Sequence, residues 1–79
     1  MKMVEAIAKR LTGLLSEKQM SQYALANKAT IDASTLYNIF NARVTTVTIE
    51  TLWLISEALD MTVQEFLDHP LFARENIES

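Results

Sequence analysis

The chain has 79 residues, 49% apolar and 22% charged, with a net charge of −3, one Gly, one Pro and no Cys. A chain this short makes one domain that buries only about 60–65% of its unfolded surface, so its stability is sensitive to core truncation. Without cysteine there is neither a disulfide framework nor a thiolate metal site, and no apolar run approaches the roughly 18 residues of a membrane span. The N-terminal MKMVEAIAKR lacks the apolar centre of a signal peptide. A soluble, intracellular, cytoplasmic protein is the expectation. The charge is unevenly spread: residues 1–49 carry six basic and three acidic side chains, residues 50–79 one basic and seven acidic. Fields are local at a Debye length of about 8 Å, so a basic half can dock on phosphate despite the net negative charge. Ordinary surface charge accounts for the split equally well.

Five helices are predicted in chain order, with no internal repeat and no low-complexity linker. The first runs from about Met3 to Glu17, with Val4, Ile7, Leu11, Leu14 and Leu15 on one face and Lys2, Glu5, Lys9, Thr12 and Ser16 opposite. Ser21 caps a short second helix that extends to about Lys28. Asp32 caps a third, to about Asn41, where its charge suits the positive end of the helix dipole. ARVTTV then reads as an irregular loop. Thr48 opens the fourth helix, to about Leu59, with Ile49, Leu52, Ile55 and Leu59 inward and Leu54 toward water. Thr62 and Glu65 match the capping box of a short fifth helix that carries Val63, Phe66 and Leu67 into the core. Pro70 prevents simple continuation. The expected organisation is one all-α domain over residues 1–69 and a tail or loose turn over 70–79.

The stretch Gln22–Ile39 carries the functional signal. Leu25, Ala26, Ile31, Leu36 and Ile39 have the spacing of two helices crossing at a tight turn, a helix-turn-helix that lifts one helix clear to enter a DNA groove. On the third helix, Leu36, Ile39 and Phe40 form the inner face. Ser34, Asn38 and Asn41 point outward, with Thr35 and Tyr37 on the flanks. An Asn amide can pair bidentately with adenine, Ser and Thr can donate or accept at several bases, and Tyr37 can reach a phosphate or a thymine methyl. Gln22, in the first turn of the second helix, sits where an amide and backbone N–H groups can grip a phosphate. Arg43 and Lys28, with Lys18, add charge along the DNA backbone. On any helix, however, such Asn, Ser and Thr residues also occur as plain solvated surface, and Asn41 can simply terminate this one.

SQYALANKATIDASTLYNIFNAR, followed by TIETLWLISEALDMTVQEF, resembles the lambda-repressor/Cro-type helix-turn-helix of the xenobiotic-response-element regulators, from about Ile7 to Phe66. The resemblance rests on Ser21-Gln22, Leu25-Ala26, Ile31, Ser34-Thr35-Leu36, Thr51-Leu52 and Ala58-Leu59. It implies a five-helix DNA-binding domain, double-stranded DNA as partner, and DNA contacts at Gln22, Ala33, Ser34, Thr35, Tyr37 and Asn38, with Asn41 and Arg43 at the margin. A bacterial or phage repressor is the implied role. The family usually places Gly where this chain has Thr30, Ala42 and Asp60. These sites tend to need φ > 0, so either the turns differ or each carries a penalty of about 1 kcal/mol. Asp32, at the tip of the third helix, repels phosphate unless it is occupied as a cap.

No residue cluster supports catalysis, a cofactor, a metal or a small-molecule substrate. The single His, His69, is expected at a helix C-terminus or in solvent, since a metal needs three or four converging ligands. A homodimer surface of Trp53, Leu54, Leu71 and Phe72, with Ile77, would set two third helices about 34 Å apart on two half-sites. Folding of Leu71 and Phe72 back on the core is the competing arrangement. The alternative function is a protein-interaction module, antitoxin-like or an adaptor, that uses the acidic C-terminal half.

Overall fold

The computed structural model describes residues 1–78; Ser79, the last residue of the expected tail, lies outside the described residues. Five α-helices form: α1 (Met3–Lys18), α2 (Gln22–Ala29), α3 (Ala33–Phe40), α4 (Ile49–Ala58) and α5 (Val63–Leu67), followed by 3-10 turns at Pro70–Phe72 and Arg74–Asn76. No strand occurs among the described residues. The all-α class and the five helices follow the sequence expectation. Side-chain caps account for the starts of four: Ser21 accepts from the Ala24 N–H, Asp32 from Ser34 and Thr35, Thr48 from Thr51, and Thr62 from Glu65. At α5 the capping box is complete, the Glu65 carboxylate accepting the Thr62 N–H at 2.8 Å.

The helix ends repeat one device. Gln19, Thr30, Ala42 and Asp60 are all left-handed, with φ of 53°, 58°, 53° and 58°. After each, the next N–H closes a wide turn onto the helix behind it: Met20 to Leu15 O, Ile31 to Ala26 O and Met61 to Ser56 O at 3.0 Å, and Arg43 to Asn38 O at 2.8 Å. These are Schellman closures, and Met20, Ile31 and Met61 supply the apolar contact with the core that accompanies the motif. The substituted glycine positions therefore keep the left-handed conformation, and Gln19 joins them.

The core is filled by Leu11, Leu25, Leu36, Ile55, Leu59 and Phe66, all essentially buried. α3 packs against α1 and α2, and α2 against α4. Arg10 fastens α1 to α5: its Nε donates to Phe66 O at 2.9 Å and its Nη2 to Glu65 O at 3.2 Å, with the guanidinium 5.9 Å from the Phe66 ring centre. Glu65 O also accepts the Asp68 N–H at 3.2 Å, so the arginine adds a second bond there and supplies a donor to Phe66 O at the open end of α5. Phe72 folds back to 6.1 Å from Phe66 and packs on the core.

Ile49 and Leu54 on α4 depart from their expected orientation. Ile49 is 70% exposed rather than inward, because it stands at the first position of α4 and sits off the Leu52–Ile55–Leu59 ridge. Leu54 is half-buried rather than solvated, in a cleft closed by Lys28 and Ala29 of α2. His69 is exposed, one of its two expected placements, and its Nδ1 accepts the Leu71 N–H at 3.1 Å at the start of the following 3-10 turn.

Replacing Thr30 with Gly is expected to raise stability by about 1 kcal/mol, since a β-branched residue in the left-handed region gives way to one without a Cβ. Asp60→Gly should gain less, because Asp tolerates that region better. Urea denaturation of both variants checks the order. A Thr30→Gly midpoint at or below the parent's would show that the turn carries no strain.

Candidate nucleic-acid interface

The surface begins with the turn between α2 and α3. Thr30 ends α2 in the left-handed conformation, Ile31 tucks against the core and Asp32 starts α3 two residues later. On α3, Leu36 and Ile39 are buried, which turns Ala33, Ser34, Thr35, Tyr37 and Asn41 to the exposed side. Asn38, expected to point directly outward, is half-buried at the edge of that face. Gln22 is exposed in the first turn of α2, where Ser21 caps the Ala24 N–H at 3.0 Å and the amides of Gln22 and Tyr23 have no partner within the helix.

Hydrogen bonds within the face limit what several of these groups can offer. Asp32 accepts the Ser34 N–H at 3.2 Å, the Thr35 N–H at 3.4 Å and the Ser34 hydroxyl. The carboxylate at the tip of α3 is thus occupied as a cap, and Ser34 Oγ keeps acceptor capacity while its proton is engaged. Asn41 Nδ2 donates to Tyr37 O at 2.8 Å, which closes the end of α3. One of its two amide hydrogens is thus engaged, and the other, with the side-chain carbonyl oxygen, stays available. The Arg43 guanidinium lies 5.6 Å from the Tyr37 ring centre, a cation–π pair that holds it beside the outer face.

Two basic residues are committed elsewhere. Lys28 pairs with Asp60 at 3.7 Å across the cleft toward α4. Arg10 is bound to α5. Beside the α3 side stand Arg43 and Lys2, while Lys9 and Lys18 are exposed on α1. Lys2 shares with Arg43 and Thr45 a cleft of about 460 Å³ at the start of α1, with Glu5 also on its wall. Sequence reasoning missed Lys2, because nothing local links it to a residue 41 positions away. It also passed over Tyr23, which is 70% exposed beside Gln22 and was detectable from that adjacency.

Residues 10–71, more than three quarters of the chain, match the family described as the Cro/C1-type HTH DNA-binding domain. The chain belongs to that family. No curated protein matches it. The domain is thus a Cro/C1-type DNA-binding module, and its second helix-turn-helix element is α3. Among the described residues there is no grouping of His, Asp or Glu able to hold a metal, and no helix is long and apolar enough to cross a membrane. The surface expected to join Trp53, Leu54, Leu71 and Phe72 is divided: Trp53 is exposed on α4, Leu54 lines the cleft against α2, and Phe72 is taken up by the core.

The Ser34 hydroxyl, then the Thr35 N–H, hold the Asp32 carboxyl below its ordinary value of 3.8. The folded chain thus favours the ionised cap more than the unfolded chain does. Its contribution is fully present above that ordinary value and is lost as pH falls through the lower folded value. The stability difference between the parent and Asp32→Ala should accordingly be constant near neutrality and shrink in acid below 3.8. Urea midpoints measured as a function of pH check this, and a difference unchanged in acid would exclude the ionised cap.

Proposed function

We propose that this Cro/C1-type domain is a sequence-specific transcriptional regulator that lays α3 in the major groove and represses by occupying its operator. The observation that carries the reading is the composition of the α3 face: short or amide-bearing side chains outward, with Leu36 and Ile39 anchoring the helix from within. Ser34, Thr35 and Asn38 then meet base edges, and the Ala33 methyl can contact a thymine methyl. Gln22 and the free amides at the start of α2 hold one phosphate, with Tyr23 beside them. Arg43, braced on Tyr37, holds another, and Asn41 accepts from a base or a bridging water. Lys28 adds charge only when it releases Asp60.

With eight residues, α3 is about 12 Å long and spans few base pairs. Useful discrimination therefore calls for a second copy on a half-site about 34 Å away. Capture of that copy by the same operator is part of the proposal.

Anisotropy of a labelled duplex, titrated at several salt concentrations, tests the electrostatic part. The logarithm of affinity should fall linearly with that of salt, and Arg43→Ala should reduce the slope by about one phosphate contact. Binding that ignores salt would remove the phosphate contacts and the proposal with them. On a selected operator, Asn38→Ala should cost about 1–3 kcal/mol at one base position. Equal loss on cognate and scrambled duplexes would show that Asn38 does not read a base.

A further inference from the structure

The outer face of α4 is unpartnered and chemically distinctive. Ile49 and Trp53, one turn apart, are 70% and 54% exposed. Glu50 and Glu57 flank the tryptophan on the same side of the helix and are also exposed. Neither carboxylate is in an ion pair among the described residues, and no Lys or Arg occurs between Arg43 and Arg74. Beside Trp53 lies a small slot of about 100 Å³, lined by Ser56, Glu57, Met61, Thr62 and Val63. Ser56 is 1% exposed, and its Oγ has no hydrogen-bond partner among the described residues. A buried hydroxyl left unpaired beside an open slot is costly alone and is relieved when a donor or acceptor arrives.

We propose that this face docks a cationic amphipathic helical segment of another protein. Exposed Trp is enriched among the residues that anchor protein interfaces. The stripe Ile49–Trp53 matches a partner helix carrying apolar side chains one turn apart, and a Lys or Arg donor beside them can enter the slot and pair with Ser56 Oγ. Glu50 and Glu57 select Lys or Arg at the partner's flanks. The same carboxylates argue against a second copy on this face, because a two-fold contact would set like charges against each other with no cation of α4 to relieve them. They equally repel nucleic acid and anionic lipid. The face shares no residue with the α2–α3 surface, so partner and DNA can be held together.

Trp53 is the single tryptophan, so its emission reports the face directly. The full chain is titrated with a synthetic amphipathic peptide of lysine and leucine, and with a glutamate–leucine counterpart, both free of aromatic residues. The lysine peptide should shift the emission to the blue and saturate, while the glutamate peptide should not. Glu50→Lys with Glu57→Lys should weaken lysine-peptide binding about ten-fold, given two exposed charge reversals. Glu17→Lys with Glu75→Lys, the same change of net charge placed elsewhere, should leave it nearly unchanged. Circular dichroism of each variant verifies the fold, and Ile49→Ser supplies a second, uncharged route to weaker binding. Three results overturn the proposal: no blue shift, equal loss in both charge-reversed pairs, or a protein-concentration-dependent blue shift without peptide accompanied by sedimentation as a dimer. The last would assign the face to a second copy.

Discussion

A helix of eight residues does not persist alone in water, where fewer than about 12–15 residues are marginal even for favourable sequences. α3 exists because Leu36 and Ile39 are inserted into the core against α1 and α2, and because Asp32 holds its first amides. That insertion also sets its rotation. With two inner positions committed, the remaining side chains have no choice of face, so the chemistry offered to DNA follows from the burial of two apolar residues. Weakening the core under α3 would therefore disturb recognition without touching any residue that meets a base.

The turns around α3 show how the chain manages without the usual glycine. Left-handed residues at Thr30 and Ala42 bracket the helix, and each permits the next N–H to close on the preceding helix. The strain at these positions is accepted because the closure satisfies carbonyls that would otherwise face the interior unpaired. Apolar Ile31 then anchors the turn on the core. Backbone geometry is conserved here by tertiary packing, with side-chain permissiveness playing a smaller part.

Charge is deployed in the same economical way. Arg10 caps the carbonyls of α5, Lys28 answers Asp60, and Asp32 is occupied by its own helix. Arg43 and Lys2 stand near the end of α3, and Glu50 and Glu57 on the outer side of α4 make no ion pair among the described residues. One surface suits phosphate and the other repels it. A domain too small for two cores can still present two faces of opposite preference, because screening confines each field to its own side.

The helices, their caps and the polar face of α3 were legible in the amino-acid order, because 3.6-residue periodicity and side-chain capping are local. Ser21, Asp32, Thr48 and Thr62 each announce a helix start by a bond reaching two or three residues ahead. The helix ends were less legible: Gln19 carries no composition cue for the left-handed region, and its conformation follows from the Met20 closure. Which polar groups were free, and which already bonded, belonged to the tertiary structure. Lys28 read as an available cation until Asp60 came beside it, and the choice between surface and core for Phe72 was decided by its contact with Phe66. Ile49 was misplaced because it stands at the first position of α4, off the Leu52–Ile55–Leu59 ridge that faces the core. The sequence by itself determined the family, the elements and the rotation of α3. Only the fold decided which charges and apolar side chains were left over for a partner, because that depends on contacts between residues tens of positions apart.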